Sequence, residues 1–593
     1  MKRIRTSLFA LLCFTGILLG SCSIDKSYDL GENIDMTMGL GSNGLALKLG
    51  NVEKIYLRDI LKVEDSAELD TLQSGAQKSL YYLVKEGNSN FSMTVDKIKE
   101  FGIPPVKVID MTIYTPSTTV TIPAGSQNIP EVELSGSNNV NITMDNIPAE
   151  VTELHAITLN NWKASLALTS SNKNVSVKST TPVVFRFPDF IFTKKEGADD
   201  NDLHTYSFPI GSSGTFEVQI DSIVLPKTGK FGQTVVNHTI SVSGAVSAKG
   251  TFKAVPTTAV TLQANVPLNV NINSTFPNVT PNTVSGIFDP AINPTTDPIK
   301  ISNDLPSFLT DKDVALDIAN PTIALECAGD RLPVSLTCYA DLKSKKSTTT
   351  ISSVRVPVAS SASIKKGVTS VNYFYQSATA GPFLPKSASY PSSTYLGKYV
   401  VPTLSSLVLS IPDEIGVDLS TGHVATDKSA LQQVTLGQTY GASIKYTAYI
   451  PLTFNGGLKI VYTDSVAGMN KDMKNYQADS IAVTATAYNT VPLALAVDVE
   501  PMDVNGNVIS GIIVTPAVVA ASTGDIASAV TSEVKIKMTA TNRALVSKIE
   551  KLRFRVKGSA RDKANGDPLM STQYIELKNL RIHLLGQIVG NFN

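Results

Sequence analysis

Short runs rich in Val, Ile, Thr, Tyr and Phe recur along this chain, and their apolar residues fall at every second position. Phe91, Met93 and Val95 alternate with more polar neighbours, as do Val534, Ile536 and Met538, and again Leu552, Phe554 and Val556. Successive side chains of a strand point to opposite faces, so each set places one face on a core and leaves a Lys, Arg, Ser or Thr face in water. A helix needs apolar residues at steps of three and four over a longer stretch, and this pattern is scarce here. The expectation is a mainly β protein made of several tandem antiparallel β-sandwich-like domains. Residues 572–588 read as a strand pair or one long bent strand, with His583 facing away from Ile582 and Leu584. One short helix is expected within residues 518–530, starting near Asp525 after a capping Ser522 or Thr523, although Gly524 opposes it.

A chain of 593 residues, 42% apolar and 17% charged, is too long for a single core and too apolar to stay unfolded. Punctuation suggests the divisions. Residues 271–303 hold Pro277, Pro281, Pro290, Pro294 and Pro298, which reads as a connector or long surface loop because proline fixes φ and removes a donor. Residues 381–393, with three prolines, and the charged stretch 194–202 read as further soft regions. The expected β-rich domains are 46–195, 203–300 with its Pro-rich connector, 301–395 and 396–593.

The N-terminus carries an address. Lys2, Arg3 and Arg5 precede an apolar run from Leu8 to Leu19, then Gly20, Ser21 and Cys22. That run is too short to span a bilayer and has the form of a secretory signal occupying residues 1–21. The segment LLGSC resembles the bacterial lipoprotein signal, which implies cleavage before Cys22 and lipidation of its thiol. An ordinary cleaved signal with Cys22 as an incidental thiol is the alternative. Several acyl chains, at about 0.8 kcal/mol per buried CH₂, hold a protein durably at a membrane. Residues 22–45 form the lipid anchor and a polar tether, and Ser23 after the cysteine leans towards outer-membrane sorting, with leaflet orientation open. With 51 basic and 51 acidic residues and no long basic cluster, nucleic acid is not an expected partner.

Candidate chemistry is sparse. Cys327 and Cys338 flank a turn containing Gly329, Asp330 and Pro333, which leaves either a disulfide or two separately buried thiols open. The five histidines stand singly and without metal-ligand spacing, so no metal or other cofactor is expected. Asp311 with Asp313, and Asp413 with Glu414, are the adjacent carboxylates a glycosidase reading would use, but closeness in sequence does not make an acid and nucleophile pair. No catalytic residue is assigned. Asp503-Val504-Asn505-Gly506-Asn507 reads as a hairpin turn in preference to a calcium loop. Glycan contact could come from the sole tryptophan, Trp162, or from Tyr373, Phe374 and Tyr375, since a ring covers a sugar's apolar face; packing in a β core is the competing role.

The LLGSC signal, the acidic tether, DLPSFLTDKDVALDIANP and ATAYNTVPLALAVDVEPMDVNGNV together resemble multidomain cell-envelope lipoproteins of Bacteroides-like bacteria. The resemblance implies tandem β domains on a lipid anchor and brings no catalytic residue. Asp221-Ser222-Ile223, Asp464-Ser465-Val466 and Asp479-Ser480-Ile481 resemble the short sites that such bacteria O-glycosylate after export. The functional expectation is an envelope-anchored noncatalytic interaction or assembly protein, partnered with the membrane through its anchor and with a protein or glycan ligand, its oligomeric state open. Glycan binding, lipid carriage and an unrecognised envelope hydrolase are the alternatives.

Overall fold

The computed structural model describes residues 38–590 apart from 59–68, 76, 194–201, 293, 302–312, 386–389, 420–422, 470–475, 562 and 564–565. The signal, Cys22, Asp311 and most of the tether therefore lie outside the described residues. The protein is mainly β, 58% strand and 3% helix, with many antiparallel sheets and, among the described residues, no barrel. The period-two sets behave as their patterning dictates: Phe91, Met93 and Val95 are buried together, and Val534, Ile536 and Met538 share a core with Leu552 and Phe554.

Three sandwich-like modules follow, and they are nested along the chain. The terminal module pairs a five-stranded sheet, ordered Met38–Tyr56, Tyr574–Gly590, Tyr476–Asn489, Val530–Ala540 and Ile512–Thr515, with a four-stranded sheet ordered Lys459–Ala467, Lys551–Ala560, Leu493–Met502 and Ala517–Val519. Ile481, Ile536 and Met538 from the first meet Val499, Ala517 and Leu552 from the second. The middle module is led by a seven-stranded sheet containing Tyr81–Thr94, Thr439–Pro451, Thr322–Ala328, Thr369–Tyr375 and Tyr395–Val400. The distal module packs an eight-stranded sheet built around Val151–Ser170 on a five-stranded sheet built around Ile240–Pro256. The strand Gln432–Thr435 pairs with Thr283–Phe288 and so joins the middle module to the distal one.

The chain thus leaves the terminal module after one strand, passes through the middle module, builds the distal one and returns. The division points expected from punctuation do not coincide with the sheets, because Met38–Tyr56 pairs with Tyr574–Gly590 and Tyr81–Thr94 pairs with Thr439–Pro451. Alternation specifies which face a strand buries but not which strand it joins. The last residues of the expected tether, from Met38 on, belong to a sheet.

Other details follow local chemistry. All five prolines of the expected connector fall between strands: Leu268–Thr275 and Thr283–Phe288 lie in the eight-stranded distal sheet, while Thr295–Thr296 pairs with Tyr81–Thr94 of the middle module and Ile299–Lys300 with Glu414–Asp418 of a separate four-stranded sheet, so the segment leads out of the distal module through short strands and not as one loop. No helix forms at 518–530: Ala517–Val519 is a strand, and Gly524 sits at φ +87°, outside the helical region. Tyr574–Gly590 is one strand, bent where Asn579 and Gly586 take positive φ, and His583 Nε2 lies 3.0 Å from Thr484 Oγ1.

Candidate functional site

The strand Thr369–Tyr375 is buried on both faces, and alternation splits its aromatic run. Phe374 points inward and stacks on Tyr399 with ring centroids 5.5 Å apart. Tyr373 and Tyr375 point outward into a separate cluster with Ala324 and Val371, flanked by half-buried Tyr390 and Tyr449. The expected three-residue aromatic group is therefore not one site, and Phe374 is core.

The covering segment exists for a topological reason. Thr369–Tyr375 and Tyr395–Val400 form a parallel pair, and parallel neighbours require a crossover, whereas an antiparallel return needs only a turn. Residues 376–394 make that crossover. Asn320 fixes its start: Oδ1 accepts from Gln376 N at 3.1 Å and Ser377 N at 2.8 Å, while Nδ2 donates to Gly381 O at 2.7 Å. Phe383 N donates to Thr322 Oγ1 at 2.8 Å, and the Phe383 ring meets Tyr82 edge-on at 5.9 Å. Tyr82 OH in turn donates to Asp70 at 2.8 Å.

At the other end of the crossover Tyr390 OH donates to Glu326 Oε2 at 3.3 Å. Glu326 stands opposite Lys445 on the neighbouring strand, and Lys445 is paired with Glu86 at 3.1 Å. Burial raises the phenols of Tyr373, Tyr390 and Tyr449 above the ordinary tyrosine range, with Glu326 adding to the effect at all three. The phenols therefore stay neutral donors at physiological pH. The result is an aromatic surface, half open at Tyr390 and Tyr449, edged by two carboxylates and one ammonium. Tyr373 and Tyr375 are 5% and 8% exposed, so they form the packed floor of this surface and present no open ring face; the half-open rings Tyr390 and Tyr449, and Glu326, reach it from three different segments and were not among the sequence candidates.

The other candidates resolve into structural roles. Trp162 is 7% exposed, its ring lies 5.7 Å from that of Phe276, and Nε1 donates to Pro277 O at 3.0 Å. A ring buried in this way offers no platform to a sugar, which corrects the ligand-contact expectation for Trp162. Cys327 and Cys338 are free thiols on different sheets, both buried, and burial pushes each up to about 12. Asp413 accepts from Ser347 N at 2.6 Å and Glu414 pairs with Lys345 at 3.2 Å, so these neighbours face separate partners. Asp503 Oδ1 accepts from Asn505 N and Asn507 N, both at 2.9 Å, and Gly506 takes φ +80°: a hairpin turn. Among the described residues no group of three His, Cys, Asp or Glu side chains is placed to hold a metal. Of the three Asp-Ser-apolar segments, Ser480 is buried, Ser222 is half-buried and Ser465 is exposed.

No known protein family matches the chain, and no curated protein matches it. Among solved structures, a protein of Parabacteroides distasonis described as secreted is 16% identical, with TM-score 0.34, over 51% of this chain and 83% of its own. The infectious bursal virus T=1 particle protein gives 10% identity and TM-score 0.12 over 91% and 88%. The N-terminal domain of a Streptococcus gordonii adhesin gives 8% and 0.09 over 81% and 95%. Scores this low establish no shared fold.

Proposed function

We propose that this chain is a noncatalytic interaction protein, held in a bacterial envelope by acylation of Cys22, with the outer tyrosine face of the middle module as its ligand surface. Glycan is the ligand class that fits. The observation that carries this reading is the half-open pair Tyr390 and Tyr449 beside Glu326, Glu86 and Lys445. A ring face covers the apolar C–H face of a pyranose, while carboxylates and an ammonium take its hydroxyls. Nesting supports the display role, since the strand nearest the anchor and the C-terminal strand share one sheet and the other modules follow from it. The cavity between the distal sheets, lined by Phe185, Phe208 and Phe216 among others, is about 10 Å³, too small for an acyl chain, so it lends lipid carriage no support.

The test is glycan-array binding by the purified protein, followed by titration of any retained glycan. Tyr449→Ala and Glu326→Gln should each weaken binding by about tenfold or more, the first with some loss of stability because Tyr449 packs on Tyr373 and Tyr375 but with the protein still folded, the second with the melting temperature nearly unchanged. Absence of any retained glycan, or variants binding as tightly as the parent, would remove this ligand assignment. The anchor is tested separately: Cys22→Ser should release the protein from membrane fractions, and retained lipid on that variant refutes the anchor.

A further inference from the structure

Tight turns draw on Gly, Asn, Asp and Ser, and a bulky aliphatic side chain at their apex serves no purpose in the turn itself. The hairpin that follows Leu493–Met502 carries two. Its backbone is closed by Asp503 N donating to Asn507 O at 2.9 Å and by Gly506 N donating to Asp503 O at 3.0 Å, with Asp503 Oδ1 accepting from the amides of Asn505 and Asn507. None of these bonds uses the side chain of Val504 or Val508. Val504 is 74% exposed, the most of any bulky aliphatic side chain among the described residues, and Val508 is 52% exposed. Residues 504–508 are exposed without a break. The hairpin is thus a closed turn with an apolar tip that the module's own core does not use.

Strand register fixes where that tip lies. In the five-stranded sheet Met38 stands opposite Ile588, Ile588 opposite Ala478, Ser480 opposite Thr539, and Ala540 opposite Ile512, so these residues share one end of the sheet. From Ala540 the chain crosses through the short 3₁₀ turn Arg543–Lys548 to Lys551, the register partner of Met502. The hairpin therefore caps the same end, between Met502 and Ile512. The middle module continues from the opposite end, where Leu57 N donates to Gln573 O at 2.9 Å and Tyr81 N to Leu569 O at 3.0 Å. Met38 is also where the chain arrives from Cys22, sixteen residues earlier, a span of at most about 58 Å when fully extended. The end that bears the apolar tip is the end at which the tether enters.

We propose that the hairpin tip rests in the phospholipid leaflet that holds the anchor, with Val504 and Val508 at the boundary between headgroups and acyl chains. The contact rests on the Cys22 anchor proposed above. Two valines bury too little area to hold a free protein on a bilayer, but the tether makes the contact intramolecular, so a weak apolar contact suffices to orient an anchored module. Asn505 and Asn507 between them carry amides that can donate to headgroup oxygens. The contact stands the terminal module end-on to the membrane and directs the middle and distal modules away from it.

The experiment uses the chain from position 22 onward, coupled through the Cys22 thiol to a maleimide-bearing lipid in phosphatidylcholine vesicles; Cys327 and Cys338 are buried and stay unreacted. Coupling supplies the attachment, so the outcome concerns the hairpin alone, while failure of the anchor is read separately from Cys22→Ser in cells. Lipids brominated high in their acyl chains should quench the added indole of Val504→Trp. They should leave Val518→Trp unquenched, since Val518 is 59% exposed on the same module but stands opposite Ala496, away from this end. Trp162, buried in the distal module, gives the unquenched background in the parent. Adding Val508→Asp to Val504→Trp should abolish the quenching, because a carboxylate resists burial among acyl chains. No quenching at position 504, equal quenching at 504 and 518, or quenching that persists with Val508→Asp overturns the proposal.

Discussion

The distal and terminal modules are both sandwiches of alternating strands, but they close differently. In the distal module Phe185, Phe187, Phe252 and Phe288 are among the largest fully buried side chains, and its two main sheets draw on residues 106–288 with one added strand, Gln432–Thr435. In the terminal module the fully packed core is aliphatic, from Ile481, Val499, Ile536 and Leu552, with Phe554 only partly buried. Its larger sheet is completed from the opposite end of the chain. Local closure with large buried aromatics leaves the distal module dependent on distant sequence for one strand only, although its core runs on into that of the middle module. Closure by distant segments makes the terminal module the more dependent one and delays its completion until the last strand is available.

The largest effect should come from removing residues 22–56, which takes the outer strand away from Tyr574–Gly590. Hydrogen exchange should then show lost protection in Tyr476–Asn489 and Tyr574–Gly590, while the distal strands keep theirs; uniform loss everywhere would mean that the modules are not separable. Next in size is Phe185→Ala, which empties space at the centre of the distal sandwich and should cost about 3–5 kcal/mol by denaturant unfolding. The thiols provide a reading of the middle module. With Cys327 and Cys338 pushed up to about 12 by burial, the folded protein should resist alkylation at mildly alkaline pH and react at both after unfolding.

The smallest effect concerns a loop of the distal module. Glu153 accepts from Lys230 N, Phe231 N and Gly232 N at 3.0, 2.8 and 3.1 Å. Burial pushes its carboxyl up, but the three amides outweigh burial and leave it below the ordinary range. A folded pKa below the unfolded one gives stability that is present above the unfolded value, about 4.3, and lost as pH falls through the folded value. Glu153→Gln should cost about 1–2 kcal/mol at neutral pH. The gap between variant and parent should narrow on acidification below about pH 4, and a gap independent of pH would contradict the role given to the charge.

Much of this fold is readable from the residues, because period two fixes burial. Trp162 shares its face with Ala164, Leu166 and Leu168, all buried, so the strand pattern itself places that ring in the core. The same rule separates Phe374 from Tyr373 and Tyr375. Strand partnership is what alternation leaves out. Nothing in the local pattern of Met38–Tyr56 says that its neighbour lies at Tyr574–Gly590, and the prolines taken to mark a connector punctuate short strands that belong to three different sheets. Only the buried floor of the candidate site, Tyr373 and Tyr375, was legible for that reason: Tyr390 arrives on a crossover, Tyr449 on a strand two places away, and Glu326 on the strand between.

The nesting itself is most directly tested by a paired-cysteine variant. Ile55 and Ile575 are register partners on the first and last strands, and antiparallel partners have Cα separations of about 4.5–5.5 Å, within disulfide range. Ile55→Cys with Ile575→Cys should form an intramolecular crosslink under mild oxidation, seen by peptide mapping as one disulfide joining the two ends of the chain. Free thiols at both positions in the folded, oxidised protein would contradict the nested arrangement.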